Sequence, residues 1–193
     1  IRNYTQFVTD SLPDEVQEVM TTYMAEMERI VHRHGGYINK FVGDEIIAVF
    51  GFPLSEDGAP QRAVLAARDM LTEVHELNAR WSVKNLPVLD GIGVGVDTGP
   101  LRFTNIGGSQ RVQFDVIGGA INGASRLQGL TKQMGCALIL SAEVVEGQTV
   151  FTVAENPDAA TSEQSSLEFI GEVMVRGQGR RRLFGITPVA VDE

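Results

Sequence analysis

An α+β domain is what the sequence predicts, and three observations predict it. Apolar residues recur at spacings of three and four over residues 16–31 and 63–77, the pattern of amphipathic helices. Shorter runs rich in Val, Ile and Phe, bounded by Gly, Asn and Asp, read as strands that pair as hairpins. No internal repeat or linker divides the 193 residues, so the chain reads as one domain, 1–193, large enough for a substantial core. Mixed helices and hairpins then gather around one sheet.

Composition narrows the function. Hydrophobic residues make up 43% and charged residues 21%, an ordinary globular balance. The net charge of −9 argues against general nucleic-acid binding, which needs a basic footprint. It leaves room for a nucleotide held by a local basic pocket. No run reaches the length of a transmembrane helix. Ile1-Arg2-Asn3-Tyr4-Thr5 lacks signal-peptide character, and the chain reads as truncated at its N-terminus because no Met opens it. A cytoplasmic location is expected, either alone or as the cytoplasmic part of a membrane-anchored protein. The single cysteine, Cys136, suits a reducing compartment and, in the apolar run Cys136-Ala137-Leu138-Ile139-Leu140, reads as a small core residue. His32, His34 and His75 lack zinc spacing and read as surface or packing residues.

In chain order, residues 1–10 show little periodicity. Pro13 suits the first helical position, and Asp14 and Glu15 suit the first turn. Val16, Val19, Met20, Tyr23, Met24, Met27, Ile30 and Val31 form that helix's apolar face, with the methionines read as core. Gly35-Gly36 ends it. Residues 37–50 form a hairpin with a Gly43-Asp44 tip. A carboxylate at a tight turn can hold a hard cation such as Mg²⁺, although such a tip is more often only a turn. A second helix spans residues 59–81. Residues 88–96 alternate as a strand, with Gly91, Gly93 and Gly95 on one parity. Such glycines mark either a close ligand or backbone approach, or tight packing by a helix.

Asp97-Thr98-Gly99-Pro100 reads as a turn, and residues 101–106 and 111–117 as strands. A helix over 120–134 places Asn122 and Arg126, four apart, on one face. Residues 137–140 form a short strand, and Ser141 is the N-cap of a short helix. Residues 155–166 are polar and read as a mobile insert. Strands over 167–175 and 183–186 flank Arg176-Gly177-Gln178-Gly179-Arg180-Arg181-Arg182, the most basic stretch. Glycine with arginine at a loop tip suits a phosphate, and a solvated turn is the commoner explanation.

Four segments in register resemble the class III nucleotidyl cyclase catalytic domain. They are Ile1-Arg2-Asn3-Tyr4-Thr5; Asn39-Lys40-Phe41-Val42-Gly43-Asp44; Gly93-Val94-Gly95-Val96-Asp97-Thr98-Gly99; and Asn105-Ile106-Gly107 with Phe114-Asp115-Val116-Ile117-Gly118 and Asn122-Gly123-Ala124-Ser125-Arg126-Leu127. The resemblance implies a ferredoxin-like βαββαβ core with additional strands and a β-arm. It implies a head-to-tail homodimer with active sites at the subunit interface, and a fused or upstream regulatory domain. The implied reaction converts ATP to cyclic AMP and pyrophosphate with two Mg²⁺ or Mn²⁺ ions per active site.

Position by position, the resemblance implies Asp44 as a metal ligand, joined by the backbone carbonyl of Ile1. Lys40 and Asp115 fall where the family reads the purine, a pair that selects adenine where guanylyl cyclases typically carry Glu and Cys. Asn122 would orient the ribose, Arg126 would stabilise the transition state, and Arg176 would reach the triphosphate. Three departures stand beside these. The family's first metal aspartate would immediately precede Ile1, Gly91 stands where many members are basic, and Arg176 and Gln178, with Arg180 nearby, stand where lysines are frequent. Two other readings fit the same residues. One is a catalytically silent cyclase-homology domain acting as a dimerisation or regulatory module. The other is a diguanylate-cyclase-type enzyme, suggested by Gly43-Asp44-Glu45 but disfavoured by the spacing of Asn122 and Arg126 after Asp115.

Overall fold

A computed structural model describes residues 1–51, 57–107, 112–146, 167–175 and 178–186. The expected insert at 155–166 and Arg176 lie outside the described residues. The elements are α1 (Tyr4–Asp10), α2 (Pro13–Arg33), β1 (Gly36–Val42), β2 (Glu45–Phe50), α3 (Ala59–Val83), β3 (Val94–Val96), β4 (Arg102–Gly107), β5 (Val112–Ile117), α4 (Gly119–Gln133), β6 (Leu138–Ser141), α5 (Ala142–Val145), β7 (Glu168–Val175) and β8 (Gly179–Ile186). The chain falls into two compact units, Ile1–Ile92 and Gly93–Glu193.

In the first unit, α2 starts at Pro13, and the Leu12 N–H donates to the Glu15 carboxylate at 3.1 Å. Asp14 and Glu15 complement the positive end of the helix, while His32 and Arg33 lie at the other end. Val19, Tyr23, Met27, Ile30 and Val31 are buried, so the predicted apolar face is the packed one. It packs on α3, whose buried residues are Val64, Ala66, Ala67, Val74, Leu77 and Trp81. His34 Nε2 lies 2.7 Å from Asp69 Oδ2, a packing role, and His32 and His75 are exposed. β1 and β2 form the expected antiparallel hairpin, with Val42 opposite Glu45 and Gly43-Asp44 as a two-residue loop. Gly43 takes φ +62°, which glycine accepts without strain.

Two local expectations fail in this unit. Residues 4–10 are helical although no periodicity announced it, because α1 buries none of its residues. Its segment is held instead by the Arg2 N–H donating to Gly91 O at 2.9 Å and by Asn3 Nδ2 donating to Asp90 Oδ2 at 2.7 Å. The strand expected over 88–96 is reduced to Val94–Val96. The Asn78 side chain takes both main-chain groups of Leu89, donating to its carbonyl at 2.7 Å and accepting from its N–H at 2.9 Å. With Gly91 O engaged by Arg2, these groups are not available to a neighbouring strand.

In the second unit a four-stranded sheet runs in the order β3-β6-β8-β7, with β3 parallel to β6 and the other pairs antiparallel. β4 and β5 form a separate two-stranded ribbon. All four residues of β6 are buried. Leu127 of α4 joins Cys136, Ile139, Val175 and Leu183 in the core, so Cys136 packs as expected.

The glycine alternation before Asp97 resolves into helix packing at two of its three positions. A Cβ on Gly95 would run into the main-chain Ala124 O and Gln128 N of α4, and one on Gly93 would meet the Thr131 side chain. Gly91 faces open space. A methyl group at position 95 has only backbone to push against, so Gly95→Ala should cost about 2–3 kcal/mol of stability. Gly129 on α4 has nothing within 4 Å, and Gly129→Ala should stabilise by roughly 0.5–1 kcal/mol. Urea unfolding of both variants checks the pair of opposite signs.

Candidate functional site

The first unit brings together two of the residues singled out in the sequence. Asp44, at the hairpin tip, is 27% exposed, and the Ile1 amino group lies 2.7 Å from its Oδ2. Tyr23 on α2 is 4% exposed, and its phenol feels the Asp44 charge. Lys40 lies on β1 opposite Ile47, just past the register shift between Ile38 and Lys40. A bulge re-aims the side chains beside it, so Lys40 owes its direction to that shift.

The second unit holds the others. Asp115 sits on β5 opposite Thr104, and its Oδ1 accepts from the Val116 N–H at 2.8 Å. Asn122 and Arg126 share one face of α4, Asn122 exposed and Arg126 half-buried. Neither side chain makes a hydrogen bond or ion pair among the described residues.

A buried ionic cluster at the end of β3 was not singled out as a site in the sequence. The Asp97 side chain is 1% exposed and receives a two-point grip from Arg181, at 2.7 and 2.9 Å. Its Oδ1 also accepts from Ser141 Oγ at 2.8 Å and from the Thr98 N–H at 2.9 Å. Arg181 bonds in addition to Gln178 Oε1 at 2.9 Å and to Glu143. Gln178 Nε2 reaches Gly119 O, on the first residue of α4, at 3.0 Å. Burial works against the Glu143 charge, but hydrogen bonds from Arg181 and its own main chain, with the Arg181 charge and Ser141, outweigh it and hold the carboxyl below its usual range. The hydrogen bond to Asp97, opposed by burial and aided by Glu143, holds Arg181 more firmly protonated than usual.

This cluster corrects two expectations. Ser141 precedes α5 but donates to Asp97 rather than capping the helix. The basic turn is not wholly solvated at its described positions, although Arg180 is exposed. Gln178 and Arg181 point inward, and Arg182 lies over the rings of Phe169 and Phe184 at 5.5 and 5.8 Å. The available signal was Asp97 itself, an acid closing a run of glycines and valines where only a buried partner could hold it.

A family model described as the adenylate and guanylate cyclase catalytic domain matches residues 1–187. The chain belongs to that family. It is 34% identical over 149 residues to an adenylate cyclase of Anabaena cylindrica, a match covering 75% of this chain and 28% of that protein. Adenylate cyclase 1 of Rhizobium meliloti is 26% identical over 145 residues, covering 75% of this chain and 22% of that protein. The match thus spans under a third of the length of these relatives. The adenylyl cyclase CyaB from P. aeruginosa has the same fold, with a TM-score of 0.77 at 22% identity over all of this chain and 92% of that one. The guanylyl cyclase Cya2 does too, with a TM-score of 0.76 at 23% identity over 99% and 91%.

The α+β cyclase fold expected from the sequence is therefore established, as is its place among class III cyclases rather than diguanylate-cyclase-type enzymes. No helix among the described residues is long and apolar enough to cross a membrane.

Within this cyclase domain, burial and then the Asp44 charge raise the Tyr23 phenol well above its ordinary value near 10. The native state keeps that proton while the unfolded chain loses it. Stability present below the unfolded value near 10 is therefore lost from about pH 10 upward, until the higher native value is reached. The urea midpoint should begin to fall near about pH 10 and keep falling above it, and Tyr23→Phe should flatten the fall.

Proposed function

We propose that this cyclase domain is an adenylyl cyclase, converting ATP to 3′,5′-cyclic AMP and pyrophosphate by attack of the ribose 3′-hydroxyl on the α-phosphorus. The observation that carries the proposal is the face of α4 bearing Asn122 and Arg126, whose side chains have no partner among the described residues. The helix behind them is fixed on β3 by the close approach at Gly95. An amide and a guanidinium held on so rigid a base suit a sugar hydroxyl and a phosphate gaining charge. In this reading Asn122 orients the ribose and Arg126 stabilises the transition state. Lys40 donates to adenine N1, Asp115 accepts from the exocyclic amine, and Arg176 reaches the triphosphate. Guanine reverses that donor and acceptor pattern, so the pair should disfavour GTP. The named adenylate cyclase relative from Anabaena supports the same choice.

Two divalent ions per site would be held by Asp44 and the Ile1 main-chain carbonyl. The donor set fits: Asp44 is partly exposed at the hairpin tip, and carboxylate with carbonyl oxygen suits Mg²⁺ or Mn²⁺. Among the described residues no group of three His, Cys, Asp or Glu gathers as a metal site, and nucleotide phosphates would supply further oxygen ligands. When bound, such ions lower the pKa of the attacking hydroxyl and neutralise phosphate charge.

We read residues 1–193 as one catalytic domain, because the family match runs through both compact units. Its working form is a homodimer in which Asp44 of one copy faces α4 of the other. The short span of the relatives that it matches favours fusion to a regulatory domain, with the catalytic domain in the cytoplasm. A silent cyclase-homology module is the second reading. It is favoured by the inward commitment of Gln178 and Arg181 in the turn expected to grip phosphate.

Incubation of the full-length protein with Mn²⁺ and either ATP or GTP separates the two. Cyclic AMP is expected, with cyclic GMP formed at least tenfold more slowly and with all turnover stopped by chelation, on the order of what a matched donor and acceptor pair discriminates. Absence of any cyclic nucleotide at high protein concentration would leave the silent module. Arg126→Ala should keep the dimer and lower turnover about a hundredfold. Lys40→Glu combined with Asp115→Cys should move preference toward GTP, and an unchanged ATP to GTP ratio would remove both residues from base reading.

A further inference from the structure

The Asp97 cluster has no part in the reaction proposed above, yet it grips the end of α4 that carries Asn122. A Cβ on Gly123 would collide with the Asp97 carboxylate and would come within 2.8 Å of Gln178 Nε2. The helix therefore rests directly on the ion pair one residue beyond Asn122. Gln178 adds a second hold, through the carbonyl of Gly119 at 3.0 Å. Arg181 connects the two holds, because it bonds Asp97 through both terminal nitrogens and also donates to Gln178 Oε1 at 2.9 Å.

We propose that Arg181, acting through Asp97 and Gln178, is a positioning residue that sets the N-terminal half of α4 and with it Asn122. The proposal rests on the adenylyl cyclase reading for what Asn122 does, but not for the existence of the clasp.

The geometry favours positioning over mere cohesion. The second half of α4 already has an anchor, since Gly95 admits the backbone of residues 124 and 128. Leu127 is fully buried in the core. The first turn has fewer buried side chains: of α4's buried residues only Gly123 precedes Leu127, and Gly118, at the N-cap, lies close to Leu101 and Pro100. Polar contacts to Asp97 and Gln178 add to that packing a hold beside Asn122 itself. A planar fork also fixes direction as well as distance, which an ammonium group cannot do.

The test uses the full-length protein with Gln178→Leu and Arg181→Lys. Gln178→Leu removes the Gly119 hold without leaving a buried charge unpaired, so it should stay folded by far-UV circular dichroism. Amide hydrogen exchange at residues 121–124 should quicken about tenfold or more, while exchange at residues 127–131 stays unchanged. With Mn²⁺–ATP, both variants should lower kcat by about tenfold or more relative to wild type and leave KM within about twofold, because small misplacements of a reacting group act on the transition state. Unaltered exchange in the first turn overturns the clasp whatever the protein's activity. Faster exchange with unaltered kcat overturns the positioning role alone, as does a loss of kcat in proportion to a loss of folded protein. If wild-type protein yields no cyclic nucleotide but exchange quickens as stated, the adenylyl cyclase reading fails and the clasp stands.

Discussion

Helix α4 lies against strand β3 with almost nothing between their backbones. Gly95 leaves room for the main chain of residues 124 and 128, and Gly93 leaves room for Thr131. A side chain at Gly95 would lift the helix off the sheet. Close packing of this kind fixes the helix more tightly than a layer of mobile side chains could, because interiors transmit displacement rather than absorb it. Arg126, between residues 124 and 128, takes its position from that contact. The remainder of the second unit, from the buried β6 to Leu183 on β8, forms the platform beneath it.

A buried carboxylate beside such a contact would be costly if it stood alone. Asp97 avoids that cost by filling its acceptor sites with the Arg181 fork, the Ser141 hydroxyl and the Thr98 N–H. Buried ion pairs of this type add little net stability over an apolar substitute, yet removal of one partner costs about 3–5 kcal/mol. The pair is thus a poor source of stability and a strong source of geometry. Its retention makes sense where the position of a neighbouring helix matters more than another increment of stability.

Much of this was legible in the chain. Long amphipathic patterns, such as Val19, Tyr23, Met27 and Ile30, name their own buried face because a helix must hide a stripe. The Gly43-Asp44 tip announced its hairpin for a similarly local reason. What stayed hidden depends on distant partners. α1 has no buried residue to betray it, and residues 88–91 lose their strand to Asn78 and Arg2, both remote in sequence. Arg181 read as part of a basic turn because nothing local says that an arginine will fold inward. Asp97 answers it from 84 residues away.

The charge balance bears on how an acidic chain could receive a polyanion. With a net charge of −9 the whole molecule repels a nucleotide triphosphate at long range. Attraction must come from a few cations close to the ligand, where screening over a Debye length of about 8 Å weakens the distant acids. Many of the arginines are committed elsewhere. Arg29, Arg33 and Arg80 pair with acids around α2 and α3, Arg181 holds Asp97, and Arg182 covers two aromatic rings and approaches Glu146. Arg126 is different, half-buried on α4 with no acid on it among the described residues. In the proposed reading, a guanidinium kept clear of internal partners retains its full field for an incoming phosphate. Holding it on a helix that cannot shift makes that field available without reorganisation, which is the condition under which a single charge can lower a barrier.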